Sequence, residues 1–486
     1  MTLDTPRAKN LALLLLAMTQ FVLVIDASIV NVALPSIGRA LSFSQADLSW
    51  VVNAYTLTFG GFLLLGGRLA DLMGRRRMFM VGLVLFSLAS LLGGLAQSEG
   101  WLIAARAAQG LGGAIVSPAA LSIITTTFAD GEERNRALGV WGAVAGAGGA
   151  AGVLLGGVLT SGLSWRWVLF VNVPIGLACT LLAPRVLRES HAEAETRSFD
   201  LPGAVTVTAG LALLVYALVD AVNVGWGSTA TLGKIAGAVV LLVVFLAIET
   251  RQRAPLMPSS IFRQRTLRGA DTVALLIGMS LFSMFFFVSL YMQEVLHYSA
   301  LKTGLCYLPL AVGIIASAAG ASVAVTRFGF KPILLSGLLL IAGGLFWFSK
   351  VRAGGSFAGD VLGPSLLAAF GLGLSFVPVT IAAVSGITPH EAGLASGLVN
   401  TSQQVGGALG LAILATIANT RTNDVLRAGT HNLPAALASG FDRAFLVGAG
   451  FALAGALLTI VLISSRDSRA HSDVARQGEA AGASLL

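Results

Sequence analysis

Asp26 lies in an apolar stretch that runs from about residue 11 to residue 35. It is the one Asp or Glu placed deep within such a stretch in the first half of the chain. At about 1.5 Å per residue it stands roughly 24 Å along a helix from residue 10. A carboxylate at that depth in a bilayer is costly and by default has a function. Burial works against its charged form, so the group is suited to taking up and releasing a proton. Arg106 falls at a comparable depth, one to two turns inside a later apolar stretch. A guanidinium does not deprotonate and relays no proton itself. Beside Asp26 it would favour the carboxylate and tie proton affinity to the distance between the two groups. The bland alternatives are a carboxylate kept for packing and an arginine that snorkels to the interface.

The elements that must position this pair are membrane helices. Of the 486 residues 56% are hydrophobic and 11% charged, against roughly 25% charged in an average soluble domain. The mean hydropathy is +0.84. Fourteen apolar windows of spanning length can be counted. They lie near 11–35, 46–67, 78–96, 101–128, 137–160, 165–184, 201–219, 231–248, 269–293, 303–325, 332–349, 361–385, 392–418 and 443–463. The 58 glycines suit helices that approach closely in lipid. The net charge of +8 sits in short loops rather than on one face, which argues against nucleic acid. Cys179 and Cys306 both lie inside apolar windows, so neither a disulfide framework nor a zinc site is expected. The five histidines fall in or near loops, and no Gly-x4-Gly-Lys-Ser/Thr segment occurs, so neither an enzyme nor an ATP-driven pump is expected.

With the N-terminus inside, 21 of the 31 basic residues fall on the inner side and eight on the outer. The inner clusters include Arg68 with Arg75 to Arg77 and Arg251 through Arg268. This asymmetry predicts an even number of spans with both termini cytoplasmic, in the cell's inner (plasma) membrane. The layout is an all-α membrane protein arranged six, two, six. Residues 1–190 form the first bundle, 191–265 a linker with two extra spans, 266–465 the second bundle and 466–486 a cytoplasmic tail.

The loop from Gly67 through Asp71 and Gly74 to Arg75, Arg76 and Arg77 resembles the signature of the major facilitator superfamily, with Leu72 where that family has a basic residue, and further segments resemble its fourteen-span drug:proton antiporter branch. Gly74 permits a tight turn, the arginines would anchor the loop on the anionic inner leaflet, and Asp71 could meet the N-terminus of span 13 near Glu391. Val24 to Pro35 looks like the span-1 motif of the antiporters, and Arg106-Ala-Ala-Gln109-Gly like the span-4 motif. In span 5, Gly139, Gly148, Gly152, Gly156 and Gly157 match the antiporter motif, with Val153 in place of its proline, which makes a kink less expected. Gly148, Gly152 and Gly156 make a stripe flat enough for another helix to ride against. Trp50 to Tyr55, Trp165 with Asn172 and Pro174, Glu249 to Pro258, and Ser396 to Gly407 extend the likeness.

The resemblance implies the major facilitator fold, with fourteen transmembrane helices, and a proton gradient in place of any cofactor. It implies export of lipophilic small molecules, cationic ones among them, in exchange for protons. A dedicated exporter of one endogenous metabolite or amino-acid-like solute is the alternative. Substrate-pocket candidates are Asn31, Gln109, Phe282, Phe286 and Tyr291, since aromatic and Met-rich walls suit variable lipophilic ligands. Phe285, Phe286 and Phe287 point three ways, so at least one must face lipid. Asp220, Asp271 and Glu294 lie near span ends, where solvated or interfacial roles are expected. The abundance of Arg over Lys hints at a GC-rich genome, and self-resistance in an antibiotic producer is a role consistent with it.

Overall fold

The computed structural model describes residues 5–43, 50–129, 131–190, 201–252, 264–387, 392–429, 432–470 and 472–473. Helices lie over all fourteen windows, and no strand occurs among the described residues. The first half holds α1 (Pro6–Leu41), α2 (Trp50–Met73), α3 (Arg75–Gly94), α4 (Glu99–Thr127), α5 (Glu132–Gly162), α6 (Trp167–Phe170) and α7 (Asn172–Val186). The extra pair is α8 (Leu201–Val224) and α9 (Thr229–Glu249). The second half holds α10 (Arg265–Leu290), α11 (Ala300–Cys306), α12 (Leu308–Phe328), α13 (Phe330–Phe348), α14 (Leu362–Val384), α15 (Ala392–Arg427) and α16 (Leu433–Leu462). By length and composition, ten helical segments of the described residues qualify as membrane-crossing, or eleven if α2, bent by 51° near residue 64, counts as one.

Local chemistry sets the breaks. The hydroxyls of Thr5, Ser98, Ser228 and Ser299 accept from backbone N–H groups at the starts of α1, α4, α9 and α11, as Ser, Thr and Asn do at helix N-caps. Gly74 (φ +106°) separates α2 from α3, and Gly329 (φ +82°) separates α12 from α13. The two loops thus share one backbone device, a positive-φ residue that only glycine adopts freely. Outward-facing Val239, Val240 and Val243 on α9, and Leu457, Ile460 and Val461 on α16, are exposed. Such apolar surface suits hydrocarbon as the solvent.

In the first half α1 packs on α5, and α4 on α2 and α3; in the second, α10 packs on α15 and α16, and α14 on α12 and α13. The halves meet where α5 touches α11, α12 and α14, and where α15 touches α2 and α4. Asn135 at the start of α5 donates to the Thr326 hydroxyl of α12 at 3.2 Å. The extra helix α8 lies on both α2 and α15, spanning the second seam. At the N-terminal end, the Lys9 ammonium is 2.7 Å from Glu133. Burial pushes the Glu133 carboxyl up, but Lys9 and the Ala129 amide outweigh it and hold the group below its ordinary range.

Candidate functional site

Asp26 and Arg106 meet inside the first half. Both are 1% exposed or less, and Arg106 Nη1 donates to Asp26 Oδ2 at 2.7 Å. Arg106 therefore does not snorkel. The other carboxylate oxygen, Oδ1, accepts from Gln109 Nε2 and Asn172 Nδ2, each at 2.7 Å. Both amides also donate to the Ser90 hydroxyl at 3.1 Å, which donates in turn to the Leu169 carbonyl at 2.8 Å. The guanidinium reaches the Val51 carbonyl through Nε at 3.0 Å and lies 4.5 Å from the centroid of the Tyr55 ring. Each of the three groups that bond Asp26 donates to it, so the site as built suits a carboxylate. Depth arithmetic anticipated the pair. It did not anticipate Ser90, and it left Asn172 and Tyr55 as bystanders of a motif.

Gln109 was a substrate-pocket candidate, and the structure instead places it in this network, 1% exposed. Its position three residues after Arg106, one turn on, puts both side chains on the face that meets Asp26. The remaining pocket candidates scatter. Asn31 is exposed and bonds the Ala27 carbonyl of its own helix. Phe286 is 40% exposed on the outer wall of α10. Tyr291 is buried and donates to the Arg352 carbonyl at 2.7 Å. The Phe282 side chain lies outside the described residues. Phe285 stacks on Tyr307 and lies against Gly149 of α5, where the halves touch. Phe287 packs into an aromatic group with Phe441 and Phe445. A small cleft between the halves is lined by Gln20, Trp141, Phe376, Thr380, Asn400 and Gln403 among others. Gln20 Oε1 is buried there without a partner among the described residues. Of these six residues only Asn400 and Gln403 fall in a stretch that extends the likeness, and the six come from four helices, α1, α5, α14 and α15, so their assembly is what reveals the cleft.

The signature loop holds a buried ion pair. Asp71 and Arg75 are 2% and 3% exposed, and Arg75 Nη2 lies 2.9 Å from Asp71 Oδ1. Arg75 thus faces inward rather than the leaflet, because Gly74 turns the chain so that the first residue of α3 points back at the last turn of α2. Gly67 and Gly74 are buried beside it. The N-terminal amides of α3 are met by a residue the motif did not include: Glu189 accepts from the backbone N–H of Arg76 and Arg77 at 3.0 and 3.1 Å. Its carboxylate also faces the Arg76 guanidinium at 3.5 Å. An acid at a helix N-terminus is the expected electrostatic complement. The expected partner of Asp71 near Glu391 lies outside the described residues.

The glycine stripe of α5 seats on α1, within the same half. A Cβ at Gly148 would meet Val24 Cγ1 at 2.9 Å, at Gly152 Ser28 Oγ at 1.9 Å, and at Gly156 the Ile29 carbonyl oxygen at 2.7 Å. The contact therefore runs along the stretch of α1 that carries Asp26. Gly139 faces Ser322 of α12 instead, and Gly157 is buried. α5 is unbroken over Glu132–Gly162, as the absence of the proline leads one to expect. Asp220 pairs with Lys234 between α8 and α9. Glu294 is exposed. No group of three or more His, Cys, Asp or Glu that could hold a metal occurs among the described residues.

A buried acid–guanidinium pair, a turn loop with its own ion pair and two packed helical halves define a membrane carrier. The chain belongs to the Major Facilitator Superfamily, whose profile matches residues 16–411. It is a multi-pass membrane protein of a transporter family. It is 44% identical to the cephamycin export protein CmcT of Amycolatopsis lactamdurans over 93% of this chain and 92% of that protein. It is 40% identical to the puromycin resistance protein pur8 of Streptomyces alboniger over 93% and 90%. Against the tetracenomycin C resistance and export protein of Streptomyces glaucescens the identity is 36% over 85% and 76%. Among solved structures, the human organic anion transporter MFSD10 (TETRAN) superposes with a TM-score of 0.68 at 15% identity, covering 94% of this chain and all of that one. The proton:xylose symporter XylE superposes with a TM-score of 0.62 at 16% identity, covering 93% and 95%. At such identities the structural likeness speaks for the fold alone.

Proposed function

We propose that this protein is a proton-coupled exporter of lipophilic, antibiotic-like small molecules, working by alternating access across fourteen spans. The observation that carries the coupling is the enclosed Asp26–Arg106 pair, a titratable group and a permanent cation at 2.7 Å, both 1% exposed or less. Residues 1–190 and 266–465 act as the rocking halves, and residues 191–265 supply the helix that bridges them. Proton entry at Asp26 loosens Arg106 and Gln109, and the freed α4 lets the first half tilt against α15. The amide and aromatic lining of the central cleft suits substrates with an apolar body and a few polar groups. Nothing in this cycle calls for covalent chemistry, a cofactor or a metal.

The resistance and export proteins it is similar to support antibiotic export as the task. A narrower reading, export of one compound the cell itself makes, is favoured by the single compounds named for CmcT and for the tetracenomycin C protein. Both readings are tested with purified protein in liposomes under an imposed pH gradient. A cationic dye, a β-lactam, an aminonucleoside and a polyketide are offered in turn. Several should accumulate uphill if the carrier is a multidrug exporter, and one if it is dedicated. Accumulation of none sinks both.

Both termini and the loop at 68–77 face the cytoplasm of the plasma membrane in this reading. Cysteine labelling in cells checks it in a chain lacking Cys179 and Cys306. Arg77→Cys is the site of choice, since Arg77 is exposed whereas Arg75 is buried. The expected result is no labelling by an impermeant reagent until the cells are opened. Labelling of sealed cells would invert the topology.

A further inference from the structure

Asp271 is a half-buried carboxylate that the cycle above leaves unused, with one oxygen fully out of solvent. It lies on α10, about one and a half turns from Arg265, on the same face as Leu275 and Gly278. That face is pressed on α15. A Cβ at Gly406 would fall 2.1 Å from the Leu275 carbonyl oxygen, and one at Gly278 would fall 2.2 Å from that of Gln403. One oxygen of Asp271, Oδ1, is buried in this seam with no hydrogen-bond partner among the described residues. Asp26, by contrast, has three donors.

Charged groups near the seam are engaged elsewhere or distant. On α10 itself, Arg265 turns to the Val461 carbonyl at the end of α16, and Arg268 is exposed. Beyond α16, Asp467 is taken by Thr266. Lys331 of α13 donates to the carbonyls of Ile460 and Ile463. α14 carries no charge. The charges of α15 (Arg421, Asp424, Arg427) and of α16 (Asp442, Arg443) sit at the far ends of those helices, because α15 runs parallel to α10 and α16 runs antiparallel. Glu391, before α15, lies outside the described residues. A carboxylate oxygen held in the seam without donor or counter-charge disfavours the ionised form, and the neutral acid is the form such a seam accommodates.

We propose that Asp271 is a second proton-carrying site, located in the C-terminal half, occupied while the α10–α15 seam is shut and emptied when that seam opens to water. α15 is the helix through which the second half touches α2 and α4, so separation of the halves acts directly on the seam. The inference rests on the export reading for its role in transport, but not for the presence of the proton.

Infrared spectroscopy of the purified chain in lipid at neutral pH tests the proton without any substrate. The carbonyl stretch of a weakly hydrogen-bonded protonated carboxyl should be present, should vanish in Asp271→Asn, should shift in Asp271→Glu and should persist in Asp26→Asn. In liposomes, Asp271→Asn should still export under a pH gradient but move one elementary charge fewer per cycle, read as weaker dependence on an imposed membrane potential. A spectrum unchanged by Asp271→Asn overturns the proposal whatever the protein exports. So does a band lost with the potential dependence unaltered. If no substrate is ever found, the export reading fails while the infrared result still decides the protonation of Asp271.

Discussion

Asp26→Asn should abolish pH-driven uphill export while downhill substrate exchange survives in part. An amide neither binds nor releases a proton in step with the rocking of the halves, so the gradient loses its handle on the conformational change. The substitution also leaves the Arg106 guanidinium, 1% exposed, without its counter-ion, and removal of one partner of a buried pair typically costs about 3–5 kcal/mol. A drop in thermal stability should accompany the loss of function. The two effects separate in the double variant Asp26→Asn with Arg106→Gln, in which a neutral network replaces the charged one. That variant should regain stability and still fail to export uphill. Arg106→Lys should be milder than Arg106→Ala, since an ammonium keeps the charge but not the Nε bond to the Val51 carbonyl or the stacking on Tyr55. Uphill, pH-driven accumulation by Asp26→Asn would make Asp26 a packing residue.

Gly152→Leu is the second large effect. The first carbon of any side chain at this position would lie 1.9 Å from Ser28 Oγ and 2.9 Å from the Ile25 carbonyl oxygen. Ser28 already spends its hydroxyl on the carbonyls of Val24 and Ile25, so α1 must shift as a rod, and Asp26, one residue after Ile25, shifts with it. Overpacking of this kind costs about 1–3 kcal/mol. Export is expected to fall by about tenfold or more, whereas insertion should be spared, because leucine is a better membrane residue than glycine. Gly152→Ala paired with Ser28→Gly should recover part of the rate by removing the atom of closest approach. Normal export by well-expressed Gly152→Leu would show that the α1–α5 contact is slack in the working protein.

Hydropathy and spacing alone determined that the chain spans a membrane and where its helices lie. The balance of apolar and charged residues dictates the solvent, and depth along a helix follows from counting. For the same reason the pairing of Asp26 with Arg106 was legible: two costly groups at one depth have few other places to go. What hydropathy does not encode is how each helix is rotated about its own axis. In a soluble helix the polar face marks the outside, but in a membrane helix most faces are apolar, and the neighbour a face meets is settled by close packing. Only the tertiary structure therefore decided that Gln109 bonds Asp26, and that Phe286 looks outward while Phe287 looks inward. Packing also turned Arg75 inward to Asp71 and seated the α5 glycines on α1. Ser90, Asn172, Glu189 and Asp271 took their places through contacts between segments up to 146 residues apart, a distance over which no local pattern in the chain carries information.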